Sequence, residues 1–358
     1  GFPTLNPWQR VEGPSGMLVL ERNPFYFAVD TEGNQLPYID TLKSKELSNI
    51  EIETMRIITG EVGYLREDTS LAKMPLYKEN AEKGGYRIQQ LDMHVDSSVI
   101  KFNMTYEDPT WRKVSRDVRF RKAISLGIDR QEIINSVYFG FASLPDHTPA
   151  EYNPEKANQL LDEVGLDQRN EEGFRLGPDG EVFEMHFPAR DIAPDLIPVT
   201  EIVVEHLKEN LDIKASMKQI SPELFSQRDL ANNIKIQIGW GHDQGWDNSR
   251  SLTTGTTNIS RLWEDWRNSQ GEVGEEPPDW VKEAYEIDRK RWKTVPGSEE
   301  YNELRQQGFA WHEEYIPDVT IVEKVPYPVI VDKDLANIPH SGYGIASDFS
   351  GEQFFFKQ

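Results

Sequence analysis

The amino-acid sequence predicts a mixed α/β fold in which a middle block, 104–318, is inserted into a domain begun by residues 1–103 and completed by 319–358. Three observations predict it. Strand-like apolar runs separated by turn residues fill the first part, capped helices alternating with short strands fill the second, and β-branched runs return after 318.

Taken in order, MLVLERNPFYFAV (17–29) opens with an apolar strand, turns at Asn23-Pro24 and continues into an aromatic cluster. DTEGNQLPYID (30–40) reads as a loop through Gly33-Asn34 and Pro37. SSVIKFNM (97–104) is the next strand. Val118, Arg121 and Ile124 belong to a helix in RDVRFRKAISLG. Asp129 followed by Glu132 has the form of a capping box, predicting a helix that buries Ile133, Ile134, Val137 and Tyr138 and stops at Gly140. Asn153 before Pro154 starts another helix, with Ala157, Leu160, Leu161 and Val164 on one face and Gly165 as the stop. FRLGPDGEVFEMHF (174–187) reads as a hairpin turning at Pro178-Asp179-Gly180, with Phe183, Met185 and Phe187 inward. A helix over 198–210, a strand near 211–220 and a helical stretch over 280–315 follow. VTIVEKVPYPVIV (319–331) closes the pattern as two strands broken at Pro326 and Pro328.

Composition narrows the function classes. There are 61 acidic residues against 39 basic ones, a formal charge of -22 that repels phosphate backbones and anionic membrane surfaces, so no nucleic-acid partner is expected. The bland meaning of that charge is a solvated surface. Cysteine is absent, which removes disulfides, thiolate metal ligands and cysteine nucleophiles together. No apolar run is long enough for a transmembrane helix. The opening GFPTLNPWQR has neither an initiator methionine nor a leader, and reads as a processed chain or a piece of something longer.

The stretch that most resembles a site is IKIQIGWGHDQGWDN (234–248). Ile234, Ile236 and Ile238 have strand periodicity, and Gly239, Gly241 and Gly245 are expected to break the strand into a loop. His242, Asp243 and Asp247 match no zinc or calcium spacing, so no metal and no other cofactor is expected. WHEEY (311–315) lacks the second histidine of a zincin motif and is expected on the polar face of a helix. Nucleophile-elbow, P-loop and dinucleotide-binding motifs are missing. A carbohydrate-active hydrolase with a tryptophan-lined cleft stays open, although nothing singles out the pair of carboxylates, about 5–9.5 Å apart, that it needs. The alternative is a ligand shelf. Trp240 and Trp246 offer ring faces for stacking, and Asp243 offers an acceptor for hydroxyls or an ammonium group. Both tryptophans as core anchors, with Asp243 capping a turn, stays open beside it.

Several stretches together resemble the extracellular solute-binding proteins, family 5, which serve ABC importers. LERNPFYFAVDTEGNQLPYID (20–40), KFNM (101–104) followed by RDVRFRKAISLGIDRQEIINSVYFGFA (116–142), YNPEKANQLLDEVGL (152–166), FRLGPDG (174–180), GWGHD (239–243), PYPVIVDKDLANIP (326–339) and EQFFFK (352–357) follow that family's order. The resemblance implies a two-lobed periplasmic-binding-protein fold of the Venus-flytrap type, with 1–103 and 319–358 in lobe I and 104–318 as lobe II. It implies solute capture without chemistry, by a monomer at the periplasmic or extracellular face, a lipoprotein in full-length form, with an ABC permease as partner. The expected solute is an oligosaccharide or an oligopeptide. Trp240, Asp243, Trp246, Asp247 and His242 are the expected ligand residues and Asn103 a hinge residue. Family members carry a long segment ahead of the R-N-P-x-Y block, so the first part of lobe I is expected to be missing here. In peptide binders the Asp at position 243 faces the peptide amine and is followed by "DY" rather than Gln244-Gly245-Trp246. The second tryptophan, with Trp263 and Trp266 close by, favours the oligosaccharide branch, while Trp263 and Trp266 at that spacing fit one packed helical face equally well.

Overall fold

A computed structural model describes residues 4–45, 47, 50–66, 69, 71–91, 96–190, 195–242, 260–339 and 351–357. The chain divides into two compact units: Gly1–His94 with Pro326–Gln358, and Val95–Val325.

The first unit begins with an antiparallel sheet of β1 (Trp8–Val11), β2 (Met17–Arg22) and β3 (Thr41–Lys45). The turn after β2 is held by Asn23, whose Oδ1 accepts from the Phe25 N–H and whose Nδ2 donates to the Asn6 carbonyl. The following loop winds around Asp30. The Tyr38 hydroxyl, the Asn34 side chain and the Asn34 and Glu32 N–H groups all donate to its carboxylate and hold its pKa well below the ordinary Asp value. Helix α1 (Ile50–Ile58), β4 (Tyr64–Leu65), α2 (Met74–Gly84) and β5 (Tyr86–Leu91) follow.

The second unit opens with β6 (Asp96–Phe102), then helices α3 (Pro109–Arg116), α4 (Val118–Leu126), α5 (Arg130–Ser136) and α6 (Pro154–Glu163). Each has a side-chain N-cap: Asp108, Asp117, Asp129 and Asn153 accept from backbone N–H groups of the first turn. The box expected at Asp129 is half made, because the Glu132 carboxylate bonds Nε2 of His206 at 2.9 Å. Next come β7 (Glu184–Ala189), α7 (Leu196–Leu211), β8 (Lys214–Gln219), α8 (Pro222–Leu230) and β9 (Ile236–His242). The turn at Pro178-Asp179-Gly180 joins only a single bridge, Leu176 to Val182, because β7 instead pairs in parallel with β8. The helical stretch expected over 280–315 is two helices, α10 (Asp279–Arg291) and α11 (Glu299–Tyr315), preceded by α9 (Arg261–Asn268). Short β10 (Asp318–Thr320) ends the unit.

Back in the first unit, β11 (Tyr327–Asp332) lies between β4 and β5, and β12 (Leu335–Ala336) pairs with β13 (Phe355–Phe356). Pro328 sits inside β11, so of the two expected breaks only the one at Pro326 separates strands. Ile330 packs with Ile57, Tyr77 and Tyr86, while Val329 and Val331 pack with Leu335, Ile338 and Phe354, as a strand buried on both faces requires. β6 and β10, placed at the edges of lobe I from the sequence, pair with each other in the second unit.

Candidate functional site

The candidate stretch is carried by a three-stranded antiparallel sheet with β6 in the centre, β10 on one side and β9 on the other. Ile234, Ile236 and Ile238 are buried. The strand does not stop at Gly239 as expected. It pairs with β6 through Gly239↔Val99, Trp240↔Ser98, Gly241↔Ser97 and His242↔Asp96. Gly241 answers to packing here: a Cβ on it would overlap Cγ1 of Val99 and stand 2.8 Å from its Cγ2. Gly241→Ala is therefore expected to destabilise the second unit by about 1–3 kcal/mol. Urea denaturation checks this, and adding Val99→Ala should return part of the loss.

β9 places the backbones of Trp240 and His242 at its C-terminal end. Asp243, Trp246 and Asp247 lie outside the described residues. Asn103 is a buried junction inside the second unit. Its Nδ2 donates to the Ile234 carbonyl at 2.9 Å and to Oδ1 of Asn232 at 2.8 Å, its N–H to the Lys235 carbonyl, and its own carbonyl accepts from Nε1 of Trp111 at 2.7 Å. It ties the end of β6 to the entry of β9. The chain passes between units nearer 94–95 and 325–326.

The entry of β9 is fixed again by Lys235, whose Nζ lies 2.9 Å from Oδ2 of Asp108, the N-cap of α3. Burial alone would raise the Asp108 carboxyl, but Lys235 and the Trp111 N–H hold it below its ordinary value. Its contribution to stability is thus present above the unfolded Asp pKa of about 3.9 and lost as pH falls through the lower folded value. The melting difference between the native chain and Asp108→Asn should shrink when the pH is taken from neutral to well below that range.

Under the far end of the sheet, Oγ of Ser98 bonds the buried Tyr138 hydroxyl at 2.8 Å, and that hydroxyl donates to Oδ2 of Asp195 at 2.8 Å. Burial, then the Asp195 charge, pushes the phenol well above its ordinary pKa, so it stays a neutral donor. Arg190, just after β7, lies over the Phe225 ring of α8 with its guanidinium carbon 3.7 Å from the centroid. Its Nη2 stands 3.4 Å from where a Cβ on Gly239 would be. Sequence reading found neither group, since both join positions far apart in the chain and neither makes a local motif.

The other candidates resolve as packing. Trp263 is buried edge-on against Trp280 with ring centroids 6.0 Å apart, so it is a core residue. In WHEEY, Trp311 and His312 are buried rather than on a polar face. His312 bonds Asp318 at 3.1 Å and the His147 carbonyl at 3.0 Å, leaving Glu313 and Glu314 exposed. Among the described residues no group of three or more His, Asp or Glu side chains is placed to hold a metal ion, and no helix is long and apolar enough to cross a membrane.

Comparison with known proteins agrees with this architecture. The chain is 27% identical over 209 residues to the periplasmic alpha-galactoside-binding protein of Rhizobium meliloti strain 1021, covering 51% of this chain and 29% of that protein. It is 21% identical over 185 residues to a probable ABC transporter-binding protein of Deinococcus radiodurans, covering 46% of this chain and 31% of that protein. The chain thus spans under a third of the length of these curated relatives. Among solved structures, the oligopeptide-binding protein OppA superimposes with a TM-score of 0.65 at 27% identity, covering 99% of this chain and 63% of that one. The periplasmic binding protein MelB of Agrobacterium fabrum C58, in complex with stachyose, gives a TM-score of 0.76 at 19% identity over 94% of this chain and 54% of that one. The model of the bacterial extracellular solute-binding proteins, family 5 (middle), matches residues 7–260, which take in the signature stretch 116–142 and the whole of β9, and the chain belongs to that family.

Proposed function

We propose that this chain is the solute-capturing component of an ABC importer, working at the periplasmic or extracellular face and handing an oligosaccharide to a membrane permease without altering it. The observation that carries the reading is the family match through residues 7–260, which takes in β9 and the stretch GWGHDQGWD that begins within it. Trp240 and Trp246 stack on sugar rings, Asp243 accepts from ring hydroxyls, and His242 and Asp247 complete the polar contacts. The alpha-galactoside-binding relative supports the sugar branch. Family membership favours capture over the hydrolase reading. A lipoprotein anchor on the full-length protein and a monomeric state complete the proposal.

A second reading, capture of an oligopeptide, is favoured by the 27% identity to OppA along nearly the whole chain. In it Asp243 pairs with the peptide's amino terminus. Tryptophan-fluorescence titration with raffinose-series oligosaccharides and with short peptides separates the two. On the sugar reading, Asp243→Ala and Trp240→Ala each weaken sugar binding about tenfold or more, each tenfold being about 1.4 kcal/mol. Affinity unaltered in both variants would overturn the site. Saturation by peptides that N-acetylation abolishes would move the assignment to the peptide branch.

A further inference from the structure

A groove of about 490 Å³ is lined by residues of α5, α7 and β8, with no lysine or arginine among them. Glu201, Glu205 and Glu209 stand at successive i, i+4 positions of α7, all exposed, and Glu132 of α5 joins them. Like charges one turn apart on a helix repel, and Glu209 adds a negative charge in the last turn, where the helix dipole disfavours it. None of the three on α7 makes an ion pair among the described residues. The same field reaches Tyr152, whose phenol is pushed above its ordinary pKa by burial and then by Asp129, Glu132 and Glu209. His206 lines the groove too, with its side chain only 8% exposed. Its Nε2 bonds Oε2 of Glu132 at 2.9 Å. A carboxylate only accepts, so Nε2 carries the proton of the neutral ring and Nδ1 is a bare acceptor. That Nδ1 is buried and finds no donor among the described residues, an arrangement that costs stability until a donor arrives. Ile202 and Met217 add apolar surface. Four carboxylates and an imidazole lone pair beside apolar side chains suit a cation that has N–H donors and a methylene body. A metal ion does not suit them, because among the described residues no three His, Asp or Glu side chains are placed to hold one. The complementary charge has to be spread along the groove.

We infer that this groove binds a linear polyamine, at a site separate from solute capture: none of its residues belongs to β9 or to the loop after it. Glutamates four residues apart are spaced by about 6 Å along the axis of α7, close to the separation that three- and four-carbon spacers give the ammonium groups of spermidine. The ammonium groups pair with the glutamates in charge-assisted hydrogen bonds, Nδ1 of His206 takes one of their N–H groups, and the spacers lie on Ile202 and Met217.

A chain with a formal charge of -22 attracts any cation, so the test has to separate the groove from the net charge. Calorimetric titration with spermidine should be run at about 0.15 M salt, where exposed charges more than about 8 Å apart are largely screened. The native chain is expected to saturate at one spermidine per chain. Glu205→Gln with Glu209→Gln should weaken that binding about tenfold or more, through the loss of two charge-assisted bonds. Glu171→Gln with Glu172→Gln, an exposed pair outside the groove that removes the same charge, should leave it within about twofold. Hexaamminecobalt(III), a compact trication, should bind about tenfold more weakly than spermidine, because it cannot span glutamates spaced along a helix. Spermidine should raise the melting temperature of the native chain and of the control pair but not of the groove variant, and circular dichroism confirms that both variants fold. Equal losses in the two variants, or hexaamminecobalt(III) binding as tightly as spermidine, would reduce the effect to net charge and overturn the site. Absence of saturable binding would overturn it as well. So would binding of trilysine where spermidine does not bind, which would make the groove a seat for a basic segment of a protein.

Discussion

Replacing Trp111 by alanine is expected to destabilise the second unit by about 3–5 kcal/mol, the range for removing a large aromatic side chain from a packed core. Trp111 is fully buried. Its ring stacks on Phe183 at a centroid separation of 6.0 Å and 18° between planes, and meets Phe120 edge-on at 6.0 Å. Its Nε1 donates to the Asn103 carbonyl, the residue that ties β6 to the entry of β9. The substitution therefore opens a cavity between α3, α4 and the strand β7 region, and strips a donor from a buried carbonyl. Urea denaturation followed by far-UV circular dichroism should show a lower midpoint with little change in slope. Trp111→Phe should recover most of the packing and lose the hydrogen bond. A loss below about 1 kcal/mol for the alanine variant would mean that this aromatic cluster is not the core that holds β9 in place.

The second large effect is expected at Arg130, which is buried without a carboxylate partner among the described residues. Nη1 donates to the Ser125 carbonyl at 2.7 Å, Nη2 to Oγ of Ser125 at 2.7 Å and to the Thr320 carbonyl at 3.0 Å, and Nε to the same Thr320 carbonyl at 3.1 Å. One side chain thus fastens the start of α5 to the end of α4 and to β10, the outer strand of the site-bearing sheet. Burial lowers its pKa to about 9, which reports how poorly a charge is solvated there. Arg130→Met removes that unfavourable charge burial but leaves two buried carbonyls without their donors. Charge-assisted bonds are worth about 1.5–3 kcal/mol each and the relief of desolvation offsets only part, so a net loss of about 2–4 kcal/mol is expected. Arg130→Lys should lose nearly as much, because one ammonium cannot span both carbonyls in the fork geometry. Thermal or urea unfolding of the two variants checks this. A stabilised methionine variant would show that charge burial outweighs the bonds.

What could be read from the sequence was local. Asp129 and Asn153 announced helix starts because an N-cap needs only its own next three residues, and both accept the bonds expected of them. The alternation of Ile234, Ile236 and Ile238 announced a buried strand for the same reason. What could not be read was set by partners far along the chain. Gly239 and Gly241 look like strand breakers in isolation. Only the presence of Val99 across the ladder shows that Gly241 is there to make room and that the strand continues. Glu132 completes a capping box on paper, yet His206, 74 residues on, takes its carboxylate. β7 looked like half of a hairpin because its turn is local, while its parallel partner β8 lies beyond a whole helix. For the candidate site, the strand of Ile234, Ile236 and Ile238 was legible from its periodicity, while the aromatic and acidic residues from Asp243 to Asp247 lie outside the described residues. Arg190 was not legible, since nothing near it in sequence indicates that it reaches Phe225 and Gly239.

The measurement that bears most directly on solute capture is a titration of the chain with raffinose-series oligosaccharides and short peptides, followed by mass spectrometry of the recovered solutes. Solute capture predicts a saturable change in tryptophan fluorescence with one class of solute, and recovery of that solute intact after prolonged incubation. Accumulation of shortened sugars at a rate that falls when a single carboxylate is removed would contradict it and restore the hydrolase reading.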